Sequence, residues 1–135
     1  MDIQQSLHRI LEQKDTLADL FYLVFLERYP EVGSRFHGVN MKAQGTLLTM
    51  ALMVMERNYS GSYPATALYL RYLGTKHHDR GIPREDYPKF RAAMLATLAR
   101  FHSKDWNPQL ARQWAEAIDR ATAAMLDGYR HHYTV

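Results

Sequence analysis

Three polar residues sit inside apolar patterns, where each must either do chemistry or find a partner: Tyr22, Gln44 and His77. Tyr22 interrupts the apolar run from Leu17 to Phe25. Gln44 stands one helical turn before Leu48, on the face that continues to Leu52 and Met55. His77 closes a stripe made by Leu70 and Leu73. A buried polar group costs about 1–3 kcal/mol unless it is paired. Singly, each has another reading. A helix-terminal His caps or is solvated, Tyr22 is a core aromatic whose hydroxyl reaches water or a carbonyl, and Gln44 in a first turn is solvated. Their joint spacing is what favours a site.

Composition narrows the chemistry. There is no cysteine among the 135 residues, which excludes disulfides, thiolate metal sites and Cys nucleophiles. Any metal must be held by His, by carboxylates or by a cofactor. The net charge of +3 comes from scattered Lys and Arg, with no basic run of the kind that binds nucleic acid. Met1 to Gln13 lacks the apolar block of a signal peptide, and Leu47 to Met55, broken by Thr49, is too short to span a bilayer. The expectation is a cytoplasmic protein with no membrane and no nucleic-acid partner.

Helical periodicity dominates and no segment alternates like a strand. Helices are predicted over residues 2–13, with Leu7, Ile10 and Leu11 on one face, and from a cap at Asp15 or Thr16 to about Arg28. Pro30, Gly33 and Gly38 impose short turns. Asn40 caps a third helix to about Asn58, striped by Leu47, Leu48, Ala51, Leu52 and Met55. The stretch from Tyr59 to Pro64 breaks the chain before a helix ending near His77 or His78. After a connector around Gly81 come a helix from about Glu85 to His102, burying Phe90, Met94, Leu98 and Phe101, and a last helix opened by Asn107 and Pro108. That helix turns Leu110, Trp114, Ile118, Ala121 and Met125 inward. No repeat or linker divides the chain, so residues 1–135 read as one all-α domain of six or seven helices.

The joint spacing resembles the bacterial single-domain globins and the globin domain of flavohaemoglobins, from about Leu20 to Met125. The sharpest stretch is Lys76-His77-His78-Asp79-Arg80-Gly81-Ile82-Pro83, with Ile82 five and Tyr87 ten residues after His77. Phe90 and the run Met94-Leu95-Ala96-Thr97-Leu98 continue it, and Trp114 matches a Trp of the family's last helix. Upstream, Tyr22 stands eight residues before Pro30, and Phe36 six after it. Gln44 and Leu48 fall, four apart, where the family has its distal Gln and Leu.

The resemblance implies a globin fold around a haem pocket holding haem b. His77 is then the proximal iron ligand, its other ring nitrogen donating to a carbonyl or to the Tyr87 hydroxyl. Tyr22 and Gln44 become donors to a diatomic gas (oxygen, carbon monoxide or nitric oxide). Leu48 and Phe36 wall the distal side, Phe36 against the porphyrin, and Ile82, Phe90 and Met94 form the proximal floor. Lys42 and Arg80 are candidate propionate partners, His37 an internal competitor for the iron, and His78 points to solvent or a propionate. Tyr129 occupies the place of the flavohaemoglobins' last-helix carboxylate, so His77 is expected to be less anionic than theirs.

Three functions follow from such a pocket: reversible oxygen binding for transport or storage, nitric oxide dioxygenase activity with an external reductase, or gas sensing with a signalling partner. Against them stands a helical protein of this fold that binds no haem.

Overall fold

The computed structural model describes residues 1–13, 15–61 and 63–134. Among them the chain forms six α-helices: α1 (Ile3–Glu12), α2 (Thr16–Arg28), α3 (Met41–Gly61), α4 (Pro64–Asp79), α5 (Asp86–His102) and α6 (Pro108–Arg130). Short 3-10 segments cover Pro30–Phe36 and Ser103–Asp105. The described residues contain no strand, in line with the all-α globin fold that the periodicity and the resemblance led us to expect.

Local chemistry sets most helix ends. Asp2 and Gln5 form a reciprocal capping box at α1. Asn40 accepts from the Lys42 and Ala43 amides at α3, and Asn107, followed by Pro108, accepts from Leu110 N–H at α6. Asp15 differs from its expected capping role: it takes a left-handed backbone with φ 64° and its side chain makes no cap bond. Helix α3 also runs past Asn58 to Gly61, because the Ser60 hydroxyl reaches back one turn to the buried Glu56 carboxylate.

Helix α4 packs chiefly on α6, α2 on α5, and α3 across α6 and α1. Between them lies a core of Phe21, Leu17, Leu52, Leu70, Met94, Leu98, Leu110, Trp114 and Ile118, all essentially inaccessible. The α4–α6 crossing is unusually close. A Cβ on Gly74 would lie 1.8 Å from the Met125 carbonyl oxygen, and one on Gly128 would lie 2.3 Å from that of Arg71. Only glycine lets the two backbones approach this far. Thr75 locks the crossing, its hydroxyl donating to the Gly128 carbonyl at 3.1 Å.

Two stripe positions differ from expectation. Leu11 and Leu47 are 41% and 60% exposed. Leu47 lies about 200° around α3 from the buried Gly45 and so cannot share its inward face.

Candidate functional site

His77 is carried by the last turn of α4, three residues beyond the close Gly74 crossing with α6 that fixes this part of the helix. The chain leaves α4 through Gly81, whose φ of 76° makes the turn at no steric cost, and Ile82 N–H then returns to the His77 carbonyl at 3.0 Å. That turn presents the Ile82 carbonyl to α6, where the Tyr129 hydroxyl donates to it at 2.7 Å.

A carbonyl can only accept, and this fixes the direction of everything attached to it. With its proton committed to Ile82, Tyr129 accepts from the Tyr87 hydroxyl. Burial, followed by this donation to Tyr129, pushes the Tyr87 phenol well above its ordinary range. Tyr87 Oη, its proton spent, faces His77 Nδ1 at 3.1 Å and must receive the ring's N–H. In the neutral ring the proton is therefore on Nδ1 and the lone pair on Nε2. Burial, reinforced by the Arg80 charge, agrees with this, lowering the His77 pKa to about 4. Nε2 makes no hydrogen bond with the described residues.

Tyr22 stands on α2, 9% exposed, its ring edge-on to Phe36 at 5.3 Å between centroids. Burial raises its phenol pKa, while a hydrogen bond with the Gln44 side chain pulls it the other way. The two expected distal donors thus meet. Leu48 is buried one turn beyond Gln44, Met94 is fully buried in α5, and Phe90 packs against Phe21 at 5.3 Å. Ile82 and Phe36 are half-buried, whereas His37, Lys42, His78 and Arg80 are exposed. His78 leans on the Tyr129 ring, and the Arg80 charge adds to burial in lowering the His77 pKa.

One connection was not apparent from the sequence. Arg35, beside Phe36, makes a two-pronged bond to Asp86 at 2.9 and 3.3 Å, and Asp86 precedes Tyr87. The Asp86 side chain is only 9% exposed, and Lys89 adds a second cation at 3.9 Å. A planar guanidinium on a nearly buried carboxylate is a geometrically demanding contact, and it joins the Phe36 corner to the helix that carries Tyr87. Its signal in the sequence was weak, since Arg35 and Asp86 are 51 residues apart.

Among the described residues no cluster of three or more His, Asp or Glu side chains is placed to hold a metal ion, and no helix is long and apolar enough to cross a membrane. The chain is 26% identical to Globin CTT-Z of Chironomus thummi thummi over 130 residues, covering 83% of this chain and 76% of that one. It is 26% identical to Globin CTT-IX of the same organism over 121 residues, 78% and 73% of the two chains. It is also 25% identical over 100 residues to the Anaerobic nitrite reductase HBII of Casuarina glauca, 74% of this chain and 58% of that protein. The family model described as Globin matches residues 5–125, and the chain belongs to the globin family.

Proposed function

We propose that the chain is a single-domain haem globin of the bacterial type, which binds oxygen or another diatomic gas reversibly, with residues 1–135 acting as one cytoplasmic domain. Family membership implies a haem and a gas ligand. The observation that carries the rest is the directed chain from the Ile82 carbonyl through Tyr129 and Tyr87 to His77. A neutral imidazole with a free Nε2 lone pair on an apolar-lined helix end is the donor that haem iron requires on its proximal side. Haem b, held by His77, would supply an iron with a position for a diatomic gas.

The remaining residues shape that position. Tyr22 and Gln44 would donate to the polar end of the gas, each worth about 1–2 kcal/mol in a dry pocket. Leu48 and Phe36 exclude water there, and Ile82, Phe90 and Met94 supply apolar contact on the proximal side. Because the proximal chain ends on a carbonyl and not a carboxylate, His77 carries no added negative charge. That favours reversible binding over chemistry that needs strong electron donation to iron.

A redox reading rests on the paired distal donors: nitric oxide dioxygenation with an external reductase, or nitrite reduction of the kind named for the Casuarina relative. A signalling partner would instead make the same pocket a gas sensor. Visible spectra of purified protein with haem, oxidised, reduced and reduced under carbon monoxide, test the first reading. It requires a five-coordinate ferrous spectrum that shifts with the gas. No haem spectrum, or no response to carbon monoxide, rejects it. Rapid turnover of nitric oxide with a supplied reductase would favour the redox reading.

A further inference from the structure

Between Val32 and Gln44 the chain buries little. Of the residues from Gly33 to Ala43, all but Gly33 and Phe36 are exposed. Phe36 nevertheless packs edge-on to Tyr22 at 5.3 Å and to Phe25 at 6.5 Å between ring centroids. The residue before it carries the polar tie. Arg35 reaches the Asp86 carboxylate with Nε at 2.9 Å and Nη2 at 3.3 Å. Lys89 extends the contact, lying 3.9 Å from Asp86 and 3.4 Å from Glu31, so two cations and two carboxylates join this corner to α5.

The far end of the tie is the start of α5. Glu85, at the cap position, makes no side-chain cap bond, so tertiary contacts orient the first turn. Asp86 and Tyr87 are consecutive there and project about 100° apart around the helix. Asp86 grips the corner that carries Phe36, while the Tyr87 hydroxyl faces His77 Nδ1 at 3.1 Å. A single turn of helix thus touches both the distal wall and the proximal histidine. We propose that Arg35 and Asp86 are positioning residues that set the Tyr87–His77 hydrogen bond and the Phe36 wall together, coupling the two faces of the site. This coupling rests on the haem–gas reading above and adds to it the device that ties one face to the other.

Arg35→Met removes the fork and keeps most of the side chain's apolar length. In ferrous protein the iron–histidine stretch, read by resonance Raman, should fall in the direction that Tyr87→Phe takes it. A weaker bond from Nδ1 leaves the imidazole less basic toward iron. The infrared band of bound carbon monoxide should broaden as Phe36 loses its fixed place, which Tyr87→Phe should not cause. Haem transfer to an acceptor globin in excess should quicken about three- to ten-fold. Arg35→Lys, which restores the charge without the fork, should recover part of each effect. In haem-free protein, long-range proton–nitrogen correlation of the His77 ring should show the Nδ1-protonated tautomer, and a mixture of tautomers in Arg35→Met. The control is Arg91→Met, which cuts a fork of similar length from the same helix to Asp119, 2.8 and 3.3 Å, and should move none of these signals.

An unchanged tautomer, iron–histidine stretch and carbon monoxide band in Arg35→Met would make the pair a structural tie only and overturn the coupling. A change on one face alone, or equal shifts from Arg91→Met, would overturn it too. Each of these results leaves the haem reading standing. Protein that takes up no haem would remove both.

Discussion

Two histidines in this fold, His77 half-buried and His102 buried, have similarly lowered pKa values and opposite chemistry. His77 and His102 each sit in a desolvated setting, each touches one hydroxyl, and each has its pKa lowered to about 4. At His102 the network begins on a donor. The Trp114 indole N–H donates to Ser6 Oγ at 2.9 Å, and the Ser6 hydroxyl, which makes no other hydrogen bond with the described residues, gives its own proton to His102 Nε2 at 2.5 Å. The ring proton is left on Nδ1, which is buried and has no partner. At His77 the network ends on an acceptor, the Ile82 carbonyl, and the nitrogen left over carries a lone pair. A group that can only donate and one that can only accept, each two or three bonds away, decide which imidazole keeps a nitrogen lone pair free. Burial alone does not.

The sharpest way to break this comparison is to delete each ring. His77→Ala should lose haem or hold it loosely with an altered ferrous spectrum, because no other donor stands in its place. His102→Gln should load haem normally, since its amide can still meet Ser6. Normal haem retention in His77→Ala, read from the Soret absorbance after gel filtration, would end the assignment.

The supports of the two histidines differ as well. His77 depends on the Gly74–Gly128 crossing, whereas His102 is held among α1, α5 and α6. Gly74→Ala places a methyl against the Met125 carbonyl, and a rigid backbone cannot yield as a side chain can. We expect a destabilisation of about 3 kcal/mol by urea denaturation, with weakened haem retention. A stability within 1 kcal/mol of wild type, on the scale of ordinary surface substitutions, would mean the helices separate at little cost.

These contacts also show what was legible in advance. The helices and their caps could be read because both are local: periodicity marks α3 to α6, and Asn40 and Asn107 mark two starts. His77, Ile82 and Tyr87 could be placed because they lie within ten residues of one another. The α4–α6 crossing could not, since Gly74 and Gly128 are 54 residues apart and each reads as an ordinary weak point of its own helix. Ser6, which nothing in the local pattern sets apart, is fully buried, and its partners lie 96 and 108 residues away. Tyr129 was noticed for what it replaces, while its bond to the Ile82 carbonyl emerges only from the fold.

A pH experiment separates His102 from the haem site. Its folded pKa of about 4 is set first by burial and next by Arg9, with the N-terminal charge acting the same way and Asp105 opposing. Since this lies below the unfolded value, the folded state prefers the neutral ring. The contribution is fully present above about pH 6.5 and is lost as pH falls toward 4, in total about 2–3 kcal/mol. In haem-free protein His77 adds a loss of the same sign, so the informative quantity is the difference between wild type and His102→Gln. The variant should show a flatter decline over that window in denaturant titrations at fixed pH. Parallel curves would show that His102 is hydrated in the folded state.

The smallest expected effect asks what lies opposite each free nitrogen. Among the described residues no donor pair is assembled beside His102, whereas the proposed haem site pairs His77 with Tyr22 and Gln44. If both donate to an oxygen ligand, removing either leaves it under-bonded in an apolar pocket. A loss of about 1–2 kcal/mol per donor corresponds to roughly five- to thirty-fold faster oxygen release. Carbon monoxide is much less polar when it binds iron, so its release should change far less. The donors share one ligand and hydrogen-bond each other, so their effects should be non-additive in a double-mutant cycle. Stopped-flow release of both gases from wild type, Tyr22→Phe, Gln44→Leu and the double variant measures this directly. Equal effects on the two gases would mean that pocket shape, not hydrogen bonding, had changed. No effect from Gln44→Leu would leave Tyr22 as the sole donor, with Gln44 neither bonding the gas nor positioning the Tyr22 hydroxyl.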